Sequence, residues 1–207
     1  MQTSNHSRGT AVQIREQNSP FRKGTAMSRI SVVQTRSAST EQKALLAAIQ
    51  EQLRMVPNFL RVFANSPAAL RAFLGLHAIA SEGVLDPHTR ERIALAVGQQ
   101  NGCEYCVSAH TAIARRAGLT NAEIAANRAG SSHDAKAAVA VKFARALVEH
   151  HGDVTTAELQ EVRNAGFDDA QIVEIITHVG MNMLTNMLGK ASRVDIDFPK
   201  VDLHLAA

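Results

Sequence analysis

The chain has 207 residues, 45% hydrophobic and 20% charged, with a formal net charge of +3. That is the composition of an ordinary globular domain. It contains no apolar run approaching the ~18 residues a membrane-spanning helix needs. Aromatics are 4%, Trp is absent, and 12 Gly and 5 Pro are too few for the dense turns of a sandwich or barrel. Two cysteines cannot staple a secreted mini-scaffold.

Residues 1–38 are rich in Ser, Thr, Gln and Arg. They hold Arg8, Arg15, Arg22, Lys23, Arg29 and Arg36 against Glu16 alone. The rest of the chain is slightly acidic, with no basic face interleaved with aromatics, so nucleic acid is not an expected partner. The first 38 residues read as a disordered or loosely packed tail, with an extended segment at Ile30, Val32 and Val33 on the domain surface. They carry no secretory apolar core. Their Arg- and Ser-rich start has a transit-like alternative, and Met27 is a candidate true start. A cytoplasmic location is the expectation.

From Ser39 the punctuation is helical. Ser39–Gln42 reads as a capping box opening a helix to about Met55, which Pro57 interrupts before an apolar turn at Phe59–Phe63. Ser66-Pro67 and Asp86-Pro87 are N-cap and first-turn proline pairs, for helices ending near Gly83 and Gln100. Asn101-Gly102 makes a turn into a helix from Cys103 to Ala117, stopped by Gly118. Thr120 opens a short helix to Arg128, and Ser132 or Asp134 opens a long one ending before Gly152. Thr155–Glu158 and Asp168–Gln171 are capping boxes, the first for a helix stopped at Gly166, the second for one over Ala170–Leu188 closed by Gly189. Eight helical segments predict an all-α domain over residues 39–207. RRAGLTNAEI (115–124) and RNAGFDDAQI (163–172) match as either an internal hairpin repeat or a generic helix stop and start.

Both cysteines fall within Cys103-Glu104-Tyr105-Cys106, with His110 four residues further on. On a helix, i and i+3 share a face and their side chains can close a disulfide. So short a loop adds little stability through chain entropy, which leaves reversible redox as its natural use. A helix N-terminus lowers thiol pKa values, and an imidazole one turn along can take a thiol proton. Zinc is the rival use of Cys103, Cys106 and His110, with Glu91, His77 or His178 as a fourth ligand. Plain packing is the other rival. His178, Asn182 and Asn186 form one i, i+4 line on the last helix, within reach of the thiols or simply buried in helix packing.

The stretch ERIALAVGQQNGCEYCVSAHTAIARRAGLT resembles the alkylhydroperoxidase D (AhpD)-like branch of the carboxymuconolactone decarboxylase family. So does MNMLTNMLGKASRVDIDFPKV near the C-terminus, which is similar to its peroxidase-related members. The diagnostic core is a Glu, here Glu91, twelve residues before Cys-x-x-Cys-x-x-x-His. The resemblance implies a compact multi-helix AhpD-like fold with the Cys-x-x-Cys at a helix N-terminus. It implies a thiol peroxidase acting on hydrogen peroxide or organic hydroperoxides, recharged by a dithiol reductant or reductase protein. Cys106 would be the peroxidatic thiol, Cys103 the resolving one, and His110 and Glu91 the proton relay, with no cofactor and no metal. The helix dipole alone favours Cys103 as the lower-pKa thiol, so the two arguments disagree. The archetype has a His between the cysteines where this chain has Tyr105, a candidate substrate-pocket residue. Homo-oligomers, trimers or hexamers, are implied as well. The alternatives are a carboxymuconolactone decarboxylase-type enzyme and a non-enzymatic redox-sensing or zinc-stabilised protein.

Overall fold

A computed structural model describes residues 28–204. The expectation for residues 1–27 therefore lies outside the described residues. Those described form nine α-helices and a 3-10 turn at Thr35–Ser37, with no strand among them. The helices are α1 (Thr40–Leu53), α2 (Asn58–Phe63), α3 (Pro67–Ser81), α4 (Pro87–Gln100), α5 (Glu104–Arg116), α6 (Asn121–Arg128), α7 (Ala135–Glu149), α8 (Thr156–Asn164) and α9 (Asp169–Ser192). The expected all-α class is what the chain adopts.

Capping explains most boundaries. Ser39, Thr155 and Asp168 form reciprocal capping boxes with Gln42, Glu158 and Gln171. Ser66 and Asp86 cap α3 and α4 ahead of Pro67 and Pro87. Of the two candidate caps for α7, Asp134 does the capping, accepting from Ala137 N. Ser132 instead donates to Glu123.

Two boundaries differ from expectation. The apolar turn at 59–63 is itself a helix, α2, held by burial of Phe59, Leu60, Val62 and Phe63. Gly189 does not close α9. The helix runs on to Ser192 and ends where Arg193 takes a left-handed conformation at φ 48°.

The centre of the molecule is α4. Ile93, Leu95 and Val97 are fully buried, and α5, α6, α7 and α9 pack around it. Each such side chain contributes about 1.5–3 kcal/mol of transfer free energy. One core cluster joins α4, α7 and α8 to the first half of α9. A second joins α1, α2 and α3 to the start of α5 and the far half of α9, and it contains both cysteines. Residues 28–33 lie along this second half. Arg29 N donates to Ser192 O, Val33 N donates to Arg61 O, and Val32 and Val33 pack on the cluster. Among the described residues no helix is long and apolar enough to cross a membrane.

Candidate active site

The site grows from one tight connection. At the end of α4, Gly102 takes φ +63°, a region open to glycine without strain. Gly102 N then donates to Gln99 O and Cys103 N to Gly98 O. The chain passes straight into α5 with Cys103 as its N-cap, and Cys103 Sγ accepts from Cys106 N at 3.3 Å. A sulfur fills the place usually taken by a Ser or Asp oxygen, at the positive end of the helix.

Cys103 and Cys106 are joined as a disulfide, with Cα atoms 5.3 Å apart. Both are buried, at 1% and 4% exposure, in the cluster that also holds Phe59, Phe63, Phe73 and Met181. Glycine permits this density. A Cβ on Gly98 would stand 3.5 Å from Cys106 Cβ, and one on Gly189 would stand 3.0 Å from Cys103 Sγ and 3.7 Å from Cys106 Sγ. The backbone of α9 therefore lies directly against the disulfide, and a Gly in mid-helix is there for that approach.

One turn along α5, His110 Nδ1 meets Glu91 Oε2 of α4 at 2.9 Å. Both side chains are partly exposed, at 24% and 18%. A carboxylate only accepts, so Nδ1 carries the hydrogen and Nε2 of the neutral ring is left as the basic nitrogen. The four residues singled out from the sequence thus form two adjoining pairs, a disulfide and a His–Glu hydrogen bond.

Tyr105 points elsewhere. Its hydroxyl donates to Asp197 Oδ1 at 2.7 Å and accepts from Phe59 N. Its ring packs against Phe59 and Phe198. Burial, then the Asp197 carboxylate, push its phenol well above the ordinary range. Tyr105 is the peg of a C-terminal strap that crosses α5. Lys200 pairs with Glu104, Val201 N donates to Ser108 Oγ, and Leu203 O accepts from Gln99 Nε2. Asp197 escaped sequence reasoning, and Gly189 was read there only as a helix stop. The unbroken apolar period around Gly189 was the available signal for the second.

On α9, His178, Asn182 and Asn186 are all buried. Asn182 donates to His178 O, and Asn186 Oδ1 accepts from Asn101 Nδ2. Asn101 and Asn186, with Met183, Met187, Lys190 and Ala191, line an open groove of about 450 Å³ outside the Cys103 turn. Among the described residues no group of three or more His, Cys, Asp or Glu is gathered closely enough to hold a metal ion.

Residues 67–149 match the carboxymuconolactone decarboxylase family. The family segment contains Glu91, Cys103, Cys106 and His110, while Gly189 and Asp197 lie beyond it. The crystal structure of a peroxidase-related protein from Silicibacter sp. TM1040 is 25% identical, with a TM-score of 0.74 over 84% of this chain and 94% of that one. A second, the AhpD core of a peroxidase-related protein from Ralstonia eutropha JMP134, has a TM-score of 0.75 at 22% identity, over 84% of this chain and 94% of that one. The fold is AhpD-like. An uncharacterized protein of Haemophilus influenzae is 56% identical over 45 residues, 21% of this chain and 40% of its own length. The chain spans less than half the length of each of the curated relatives it matches.

Proposed function

We propose that this AhpD-like chain is a thiol-dependent peroxidase that reduces hydrogen peroxide or organic hydroperoxides. The observation that carries the reading is the joined Cys103–Cys106 pair at the start of α5, one turn from the His110–Glu91 hydrogen bond. A decarboxylase on the same fold has no use for two paired sulfurs.

The chemistry balances as follows. In the reduced protein His110 takes the Cys106 proton, and the thiolate attacks the outer peroxide oxygen. The O–O bond breaks, Cys106 becomes a sulfenic acid, and His110 returns the proton to the departing alkoxide or hydroxide. Cys103 attacks the sulfenic sulfur, its proton leaves with the oxygen as water, and the disulfide forms. An external dithiol then supplies two electrons by thiol–disulfide exchange. Apolar surroundings alone would raise the Cys106 thiol. The helix N-terminus and a His110 imidazolium oppose this and favour the thiolate. Glu91 holds the ring through Nδ1 and stabilises the imidazolium. A cytoplasmic setting, where reduced dithiols are plentiful, suits the cycle.

The homo-oligomer belongs to the same proposal. Along α9 a solvent-facing stripe of Val173, Ile176, Leu184 and Met187 recurs at helical spacing. Leu76 and Ile79 are exposed on α3, which packs against α9. Exposed apolar side chains on two packed helices favour cover by further copies, as trimer or hexamer.

A peroxide-consumption assay with a panel of dithiol reductants tests the activity. Cys106→Ser should abolish turnover. His110→Ala and Glu91→Ala should each lower it by ~10²-fold and raise the pH at which the thiol reacts. Turnover surviving in Cys106→Ser contradicts the peroxidase reading.

A further inference from the structure

The helix α2 is not capped locally. Its N-cap is Pro57, which gives no side-chain acceptor, so the first amides of the helix must find oxygens elsewhere. They find them on two residues distant in sequence. Asn58 N donates to Asp197 Oδ2 at 2.7 Å, and Phe59 N donates to the Tyr105 hydroxyl at 3.3 Å. That hydroxyl in turn donates to Asp197 Oδ1 at 2.7 Å. Asn58 Nδ2 adds a bond to Asp195 O. Tyr105 and Asp197 thus latch three elements at one point: the start of α2, the C-terminal strap and the first turn of α5. The Tyr105 ring fills the space between them, 5.7 Å from the ring of Phe59 and 5.8 Å from that of Phe198.

Tyr105 also lies inside the redox loop. Cys103 and Cys106 close a ring of four residues, and Tyr105 is the third of them. The sulfurs and the tyrosine share one wall, since a Cβ on Gly189 would stand 3.0 Å from Cys103 Sγ, 3.7 Å from Cys106 Sγ and 3.9 Å from Tyr105 Cβ. We propose that the Tyr105–Asp197 latch is coupled to the redox state of Cys103 and Cys106: it favours the disulfide, and reduction loosens the strap and the start of α2. The inference rests on the reversible cycle proposed above and adds residues that set its equilibrium. In the reductive half the S–S bond breaks as a dithiol gives up two electrons and two protons and itself becomes a disulfide. While the bond is intact it fixes the backbone on both sides of Tyr105, so the ordering that the latch requires is already complete. In the reduced chain the latch must order that turn itself. Coupling of this kind is reciprocal, so a disulfide that strengthens the latch is strengthened by it to the same degree. Tyr105 and Asp197 act through the backbone of the loop and are positioning residues.

The test equilibrates the full chain in mixtures of reduced and oxidised dithiothreitol at pH 7 and measures the disulfide fraction by alkylation and mass spectrometry. Tyr105→Phe keeps the ring and removes only the hydroxyl. It should shift the equilibrium towards the dithiol by about 5-fold, and Asp197→Asn should do the same. A bond with a merely structural role would weaken both redox states alike and leave that equilibrium unmoved. In the parent protein, hydrogen exchange at the Asn58 and Phe59 amides should be about 5-fold faster after reduction, by the same coupling, and Tyr105→Phe should shrink the difference. An unchanged equilibrium in Tyr105→Phe, or exchange at Asn58 and Phe59 that ignores reduction, would overturn the latch. Should Asp197→Asn fail to fold, Tyr105→Phe decides alone. No peroxide enters this experiment, so its failure is separate from that of the peroxidase reading, which stands or falls on Cys106→Ser.

Discussion

The side chain that is missing at position 189 governs the redox pair as much as those that are present. Gly189 sits on the buried face of α9, and a methyl group there would press on Cys103 Sγ at 3.0 Å. That is tighter than ordinary van der Waals contact, and the neighbour is a sulfur fixed by its disulfide. Gly189→Ala should therefore destabilise the oxidised protein by roughly 1–3 kcal/mol, as overpacking does. The reduced protein should suffer less, because a free thiol can turn away. Comparing the melting temperatures of oxidised and reduced variant checks this, and equal losses in the two states would contradict it. At this scale the sequence was most informative where chemistry is concentrated. The closeness of Cys103 to Cys106 was legible from identity and spacing, and His110 and Glu91 were singled out there before the structure showed them hydrogen-bonded. The place of Tyr105 was not legible, because a tyrosine between two cysteines looks the same whether its hydroxyl faces a substrate or, as here, Asp197.

At the scale of elements, local signals in this chain are strong because the caps are side chains close in sequence to what they cap. The two similar segments 115–124 and 163–172 show how such a joint works. Gly118 and Gly166 take φ +99° and +87°, Leu119 and Phe167 tuck inward, and Thr120 and Asp168 cap the next helix. What stayed illegible depended on distant partners. α2 exists because its apolar side chains find α3 and the start of α5, and α9 passes through Gly189 because a disulfide lies opposite. The clasp between α4, α6 and the start of α7 is of that kind. Glu123 is buried, which opposes its ionisation, but Ser132, Asn127, the His133 amide and Arg92 all donate to it and hold its carboxyl at about 2. Its folded value lies below the ordinary 4.5, so its stabilisation is complete above that pH and is lost as pH falls through about 2. Glu123→Gln should cost roughly 2–4 kcal/mol at pH 7. Denaturant titrations should show the gap to the parent protein closing between pH 4.5 and 2, and a gap constant with pH would contradict this account.

Over the whole molecule, burial divides the chain into a half built on α4, α7, α8 and the start of α9, and a redox half under α1, α2 and α3. The long helix α9 serves both, and its outer stripe faces solvent. The class of the fold was legible from the spacing of caps and apolar positions, whereas the way α9 backs the disulfide required the packed structure. If the stripe is where copies meet, Met187→Glu and Ile79→Glu should lower the mass measured by light scattering towards that of a single chain. A parent protein already monomeric at tens of micromolar would remove the proposed interface.

The proposed cycle depends on the assignment of Cys106 as the thiol that meets the peroxide, although Cys103 occupies the helix N-cap. It is tested most directly by treating Cys103→Ser with one equivalent of peroxide in the presence of a dimedone-type trap and locating the adduct by mass spectrometry. One stoichiometric reaction and a label on Cys106 are expected, with no label in Cys106→Ser under the same conditions. A label on Cys103 in Cys106→Ser, with Cys106 unmodified in Cys103→Ser, would contradict the assignment and give the nucleophile to the residue at the N-cap.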